Sequence, residues 1–163
     1  MLKPLFACAA IATLPFSAQA STDLARQWGL EASRLSAQTT EMILTVDQGQ
    51  SLEISGTYAL DVYRFARTSA ELARWVDTAD RPQTMSCIFQ DMAAESEDQL
   101  MVLELPNGAE AQRESLSRLA SMFSDAQRVA IAAQRPVSNL RVQTAKSSGT
   151  CSSDHGSTSD ALN

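Results

Sequence analysis

Apolar side chains recur at steps of three, four or seven residues between Thr22 and Asp47. They fall on one stripe of an α-helix, formed by Leu24, Trp28, Ala32, Leu35, Met42 and Val46. Glu31, Arg34 and Gln38 lie on a polar flank beside this stripe. Because a single helix cannot bury such a stripe alone, we expect the rest of the chain to supply helices that cover it.

A second periodic stretch follows Gly49, a residue that suits the left-handed end of a helix. We expect Ser51 to cap helix two, which runs to about Asp77, although the helix proper begins nearer Thr57 if Gly56 weakens its first turn. Its apolar stripe consists of Tyr58, Val62, Phe65, Ser69, Leu72 and Val76. Three alanines spaced by seven residues favour the close approach of a neighbouring helix: Ala59, Ala66 and Ala73.

Two further helices are separated by Leu105-Pro106. We expect helix three to be capped by Asp80, with a kink or short interruption within the polar run 95–98, and to bury Met85, Ile88, Phe89, Met92, Leu100 and Leu103. Asn107 and Glu110 have the spacing of a capping box and open helix four. Pro136 ends that helix, whose stripe consists of Leu116, Leu119, Phe123, Ala126, Ala130 and Ala133.

Linkers of only a few residues join these four helices, and such short linkers place consecutive helices antiparallel. The pattern therefore predicts an all-α fold, an antiparallel up-down-up-down four-helix bundle. After Pro136, we expect the side chains of Val137, Leu140 and Val142 to lie along the bundle as a strap. The bundle with this strap covers residues 21–146, and the polar residues 147–163 are expected to form a mostly disordered tail.

The first twenty residues have the pattern of a signal peptide. Lys3 precedes an apolar run over 5–16, and Ala18-Gln19-Ala20 offers a cleavage point after Ala20. The run is shorter than the roughly 20 residues that span a bilayer. Cys8 ends a segment that looks like a lipoprotein cleavage box. Almost no apolar region precedes it, so we do not expect lipidation at Cys8. We expect export to the periplasm of a Gram-negative-type cell, with no membrane attachment after cleavage.

The charge of the chain is acidic. The full sequence has 13 basic and 19 acidic residues, so losing Lys3 with the signal peptide leaves 12 basic residues and a net charge of −7. No cluster of lysine or arginine is present. This balance argues against nucleic acid or an anionic membrane surface as a partner.

Two cysteines remain after the signal peptide, Cys87 and Cys151. In an exported protein such a pair is expected to form a disulfide. Cys87 belongs to the start of helix three, which lies beside the end of helix four in an antiparallel bundle. The fifteen residues from Pro136 to Cys151 span up to about 50 Å, so the chain can return to Cys87. A bridge between two chains is the alternative.

The sequence offers little material for catalysis or metal binding. His155 is the only histidine and lies in the polar tail, so histidine triads and histidine metal sites are excluded. The acidic residues Asp91, Glu95, Glu97 and Asp98 lack the ligand spacing of a calcium loop and indicate a solvated helix face. Met42, Met85 and Met92 lie on the apolar stripes, which favours core packing over copper ligation. We therefore expect no enzyme activity, no cofactor and no metal.

One segment points to a known family. Helix one reads Ala32-Ser33-Arg34-Leu35-Ser36-Ala37-Gln38, followed by Met42-Ile43-Leu44 and Gly49, and helix two carries Phe65, Ser69 and Leu72. Over about half of the mature chain this resembles the PilJ/NarX-type sensor domain of type IV pilus chemotaxis transducers and nitrate sensors. The resemblance implies a helical sensory module in which an arginine of the first helix lines an anion site. That role would fall on Arg34, which otherwise only pairs with Glu31 or Gln38 on the helix surface.

Two functions follow as expectations. The first is a non-enzymatic periplasmic module that binds a small ligand, such as a small anion, or another helical bundle through the flank of helix one. The other bundle can be a second copy of this chain, so a homodimer is one form of this expectation. The alternative is a structural or protein-interaction bundle of the cell envelope, in which exposed apolar side chains of helix two dock to a partner.

Overall fold

The structure is a computed structural model that describes residues 16–50, 52–79, 81–106 and 108–135 together with Cys151. These residues form four helices: α1 (Phe16–Asp47), α2 (Gly56–Thr78), α3 (Gln83–Glu104) and α4 (Ala109–Ala133). No strand occurs in these ranges. The predicted all-α four-helix bundle is confirmed.

Each helix packs against the next one along the chain, and α4 returns to pack against α1. The four seams differ in tightness. The α1/α4 and α2/α3 seams are the most extensive, whereas the α1/α2 seam is the most sparsely packed. The bundle therefore consists of two tight helix pairs that face one another across looser seams.

Small side chains account for the two tight seams. On α1, a methyl group built on Gly29 would lie only 2.6 Å from Cβ of Ala130 on α4. On α2, the carbonyl of Ala73 accepts a 3.3 Å hydrogen bond from Ser86 Oγ on α3. Two of the three seven-spaced alanines of α2, Ala66 and Ala73, are buried. Close approach at α2 agrees with the sequence pattern, whereas the close approach at Gly29 was not predicted.

An aromatic cluster fills the middle of the bundle, with one ring from each helix. The Trp28 and Phe65 rings are stacked at 4.9 Å between centroids, and Phe89 meets Trp28 edge-on at 5.1 Å. Phe123 completes the cluster edge-on to Phe65 at 5.0 Å. Every predicted stripe residue of helices two and four is buried. On helix one, Leu24 and Met42 are only partly buried but pack against the core.

Of the two starts predicted for helix two, the later one, near Thr57, agrees with the structure. The helix begins at Gly56, and Ser55 caps it by accepting a 3.2 Å hydrogen bond from the backbone N–H of Tyr58. Ser51, the predicted cap, lies outside the described residues. Leu52 and Ile54 are not helical, and they pack against the core from the connection between α1 and α2. Ser55 therefore caps the helix, because Leu52 and Ile54 pack against the core as part of the connection and not as part of the helix.

The details of helices three and four also differ from the prediction. Helix α3 is continuous through residues 95–98, so the short interruption that its polar run allowed does not occur. Ile88 is 37% exposed, so its place in the predicted core stripe was wrong. Ile88 precedes the fully buried Phe89, and the larger ring occupies the inward position. Gly108 is the N-cap of α4 and makes no side-chain capping bond. The predicted caps Asp80 and Asn107 lie outside the described residues.

Cys87 of α3 and Cys151 are joined in a disulfide across 64 positions of sequence, with Cα atoms 5.5 Å apart. The predicted pairing within one chain is present, and a disulfide indicates an oxidising compartment. The predicted strap residues Val137, Leu140 and Val142 lie outside the described residues, and so does the predicted tail apart from Cys151, including His155.

The amino-terminal boundary differs from the predicted one. Helix α1 begins at Phe16, six residues before the predicted Thr22, and runs through Ala20. From Ser21 onward, the first buried residue is Ala25. Signal-peptide cleavage after Ala20 stays a prediction. None of the helices in the described part of the chain is long and apolar enough to cross a membrane.

Candidate functional site

One candidate site is a groove between α1 and α2, the two neighbouring helices with the least extensive seam. Its volume is about 330 Å³, at the lower end of the range in which small-molecule sites fall. The groove is lined by polar and apolar side chains from both helices: Leu24, Gln27, Trp28, Glu31, Arg34, Asp61, Arg64, Phe65 and Thr68. Arg34, the residue singled out in the sequence, belongs to this lining.

The guanidinium of Arg34 connects the two walls of the groove. On its own helix it donates to both carboxylate oxygens of Glu31 and, at 3.4 Å, to Gln38 Oε1. Across the groove it donates to Asp61 Oδ2 at 2.7 Å. The hydrogen bonds to Glu31 and Asp61 raise the pKa of Arg34 above its usual value, which keeps it charged. The pairing with Glu31 and Gln38 is therefore present, and Asp61 adds a bond that crosses to α2.

Asp61 is the residue of this site that the sequence analysis missed. It is buried on α2, beside the core residue Val62. Besides Arg34, its carboxylate accepts a longer bond of 3.4 Å from Arg64 of its own helix. A carboxylate next to a core stripe is the signal that could have identified it, because a buried charge requires a partner.

The four charged groups of the groove balance one another. Glu31 and Asp61 carry two negative charges, and Arg34 and Arg64 carry two positive ones. Their roles differ, because Arg34 already donates to three residues, Glu31, Gln38 and Asp61. Arg64 is largely exposed and makes only one 3.4 Å contact with Asp61. Arg64 is therefore the cation with the most donors left for a ligand.

The floor of the groove is aromatic and well supported. Trp28 and Phe65 stack on each other, and both are buried. The indole N–H of Trp28 donates to Ser69 Oγ at 2.8 Å, while the Ser69 hydroxyl donates to the Phe65 carbonyl at 2.9 Å. With the indole donor satisfied and the ring held by its neighbours, the floor is formed in advance of any ligand.

A third polar bond crosses the same seam. Thr39 of α1 and the hydroxyl of Tyr58 on α2 share a hydrogen bond of 2.8 Å. Both residues are fully buried, and burial raises the pKa of Tyr58 to about 12. Polar bonds therefore join α1 to α2 at three levels, through Trp28, Arg34 and Thr39. This seam is the least extensive of the four, which leaves room for the groove.

The remaining sequence candidates lie elsewhere. Met42 and Met85 pack against the core, Met92 is buried, and Met101 is exposed. Met122, which was not placed on a predicted stripe, is buried with its sulfur 3.5 Å from Ser96 Oγ. Within the ranges that the structure describes, no three histidine, cysteine or acidic side chains are grouped so as to hold a metal ion.

Comparison of the chain with protein-family models, with curated proteins and with solved structures finds no match. The chemistry of the groove therefore has to be argued from its own residues. Its lining contains neither histidine nor cysteine, and Arg34 is bonded to both acids. Such an arrangement suits recognition through ion pairs and hydrogen bonds.

Proposed function

We propose that this protein is a non-enzymatic, exported helical module that binds a small ligand in the groove between α1 and α2. The observation that carries the proposal is the groove itself, a space of about 330 Å³ where charged side chains surround a preformed aromatic floor. The disulfide supports an oxidising compartment, and the signal-peptide pattern at residues 1–20 supports the periplasm.

The charge balance of the groove favours one class of ligand. A simple anion gains little net attraction from two positive and two negative groups, and Arg34 already has two carboxylate partners. A small zwitterion matches both signs. Its carboxylate would bond to Arg64, and its ammonium group would lie against Glu31, whose oxygens can each accept a further hydrogen bond. We therefore propose a small zwitterion with an amino group and a carboxylate.

The resemblance to PilJ/NarX-type sensor domains agrees with part of this proposal. In that family an arginine of the first helix lines the ligand site, and Arg34 lies in the groove. Its ion pairs with Glu31 and Asp61 favour a zwitterion over a bare anion such as nitrate. The role proposed for Arg34 is to hold Glu31 and Asp61 in position, while Arg64 makes the direct contact.

A thermal-shift screen at constant ionic strength tests the proposal, with glycine, alanine and larger zwitterions compared against nitrate, nitrite and acetate. A ligand at roughly 100 times its Kd stabilises the folded state by about 2.7 kcal/mol, which raises Tm by several degrees. The shift should be lost in Arg64→Ala and kept in Arg113→Ala, since Arg113 is exposed and pairs with Asp47 outside the groove. A ligand shift that survives in Arg64→Ala, or no shift from any zwitterion, would contradict the proposal.

A further inference from the structure

The lining of the groove between α1 and α2 changes in character along its length. On α1 it runs from Leu24 to Arg34, which corresponds to about 15 Å of helix. The bond from Arg34 to Asp61 lies at one end of this stretch. The bond from Trp28 to Ser69 lies nearer the other end. These two bonds fix which residues of the antiparallel helices lie at the same level.

The charged residues of the lining share one end, which we call the charged end: Glu31 and Arg34 of α1, and Asp61 and Arg64 of α2. The bond from Arg34 to Asp61 crosses between the helices and bounds the groove there. Moving equally far along both helices from that bond brings Glu31 level with Arg64. A zwitterion held by Glu31 and Arg64 can therefore extend only away from the bond, along the groove or out into solvent.

The opposite end of the groove is formed by Leu24, Gln27 and Thr68, beside the ring of Trp28. We call it the uncharged end, because none of these described lining residues carries a charge. Leu24 is partly buried and packs against the core, whereas Gln27 is exposed. The Thr68 hydroxyl donates to the carbonyl of Arg64 at 2.9 Å, so its hydrogen is already engaged. This end therefore offers apolar contact and no opposite charge for a ligand.

Two ion pairs lie just outside the uncharged end. On α1, Asp23 pairs with Arg26 at 3.3 Å, and on α2, Arg67 pairs with Glu71 at 3.5 Å. Each pair contains one charge of each sign, so neither sign prevails around this end. A charged ligand group placed there would lose water without gaining a partner of opposite sign, which is unfavourable.

We infer that the ligand of the groove is an α-amino acid with an extended apolar side chain. Glu31 and Arg64 hold its ammonium and carboxylate groups, and its side chain lies along the uncharged end against Leu24. The stretch of α1 from Leu24 to Glu31 corresponds to about 10 Å of helix, which accommodates a side chain such as that of norvaline or methionine. This inference rests on the proposed function, because it requires a zwitterion in the groove.

Isothermal titration calorimetry of the full chain tests this inference with glycine, alanine, norvaline, glutamine and glutamate. Norvaline has two more methylene groups than alanine, and burial of methylene groups is favourable, so norvaline should bind at least about fivefold more tightly than alanine. Glutamine and glutamate have nearly the same shape and differ in the charge of the side chain. Glutamate should bind at least about tenfold more weakly than glutamine, because its side-chain carboxylate finds no opposite charge at the uncharged end.

Two variants test where the ligand side chain lies. Leu24→Ala should reduce the preference for norvaline over alanine to less than about twofold, while glycine still binds. Gln27→Lys adds a positive charge at an exposed position of the uncharged end, so it should strengthen binding of glutamate at least about fivefold without strengthening that of glutamine. Ser33→Lys is the matched control, since Ser33 is exposed on the same helix outside the groove lining. It should leave the ratio of the glutamate and glutamine affinities unchanged.

The outcomes separate this inference from the proposed function. Equal binding of alanine and norvaline, or glutamate binding as tightly as glutamine, would overturn the inference and leave the proposed function in place. An equal gain for glutamate in Ser33→Lys and Gln27→Lys would also overturn it, because the side chain would then not lie at the uncharged end. If none of the five amino acids binds, the proposed function fails together with the inference.

Discussion

Gly29 on α1 and Ala130 on α4 lie so close that a methyl group on Gly29 would be 2.6 Å from Cβ of Ala130. This close contact lies in the most extensive seam of the bundle. An alanine at position 29 would force α1 and α4 apart, although it favours the helical backbone by about 1 kcal/mol. Since overpacking costs about 1–3 kcal/mol, the net effect of Gly29→Ala should be to lower the free energy of unfolding by up to about 2 kcal/mol.

Urea denaturation measures this change, and Gly56→Ala is its control. Gly56 also lies in a helix, but a methyl group there would have open space around it. That substitution should leave the free energy of unfolding unchanged or raise it by up to about 1 kcal/mol. If both substitutions stabilise the chain equally, the α1/α4 seam is looser than the structure indicates.

The ion pair between Arg34 and Asp61 should couple α1 to α2. Asp61 is nearly buried, whereas the Arg34 side chain is about half exposed, so solvent screening limits the gain. A double-mutant cycle with Arg34→Ala and Asp61→Ala should give a coupling energy of about 1 kcal/mol. The same cycle on Arg26 and Asp23, an exposed pair within α1, should give less than about 0.5 kcal/mol. Equal coupling in the two cycles would argue against a structural role for Arg34.

The disulfide should make a large contribution to stability. Closing a loop of 64 positions between Cys87 and Cys151 stabilises the folded state by about 4 kcal/mol in the chain-entropy model. Reductant should lower the urea midpoint of the unmodified chain and leave Cys87→Ser/Cys151→Ser unchanged. Non-reducing electrophoresis should show a monomer, and a covalent dimer would indicate that the bridge joins two chains.

Burial of Tyr58 predicts a loss of stability at alkaline pH. Its pKa of about 12 in the folded protein exceeds the ordinary value of 10.0. Above pH 10 the unfolded chain therefore loses the phenol proton while the folded chain keeps it. Stability is fully present below pH 10 and falls as the pH rises toward 12, by up to about 3 kcal/mol for two pKa units.

Urea midpoints between pH 9 and 12 should therefore fall less steeply in Tyr58→Phe than in the unmodified chain. Tyr63→Phe changes an exposed tyrosine and serves as the control, with the steep fall retained. If the urea midpoints of Tyr58→Phe and of the unmodified chain fall equally steeply with pH, burial of this phenol does not cause the loss of stability at alkaline pH.

The bundle could be predicted from the sequence because the apolar residues recur at helical spacing in all four helices. Trp28, Phe65 and Phe123 were placed inward by spacing, and the structure buries all three. Helix starts were harder to predict, since Ser55 and Ser51 are both suitable caps and the packing of Leu52 and Ile54 decides between them.

The groove could be predicted only in part. Arg34 and its neighbour Glu31 share one helix face, so their pairing follows from local spacing. The partner on α2, Asp61, lies 27 positions away in sequence. Which surface of α2 faces α1 depends on how all four helices pack, including the close contact of Gly29 with Ala130. Tertiary packing of this kind leaves no signal in the spacing of apolar residues along a single helix.

Ligand binding in the α1/α2 groove is tested most directly by NMR titration of the ¹⁵N-labelled chain with small zwitterions. The chain has two indole N–H groups, from Trp28 in the floor of the groove and from Trp75, which packs under Arg81 away from it. The Trp28 indole signal should move and saturate as the ligand is added, while the Trp75 signal stays in place. No movement of the Trp28 signal with any zwitterion, or movement of the Trp75 signal alone, would contradict ligand binding in this groove.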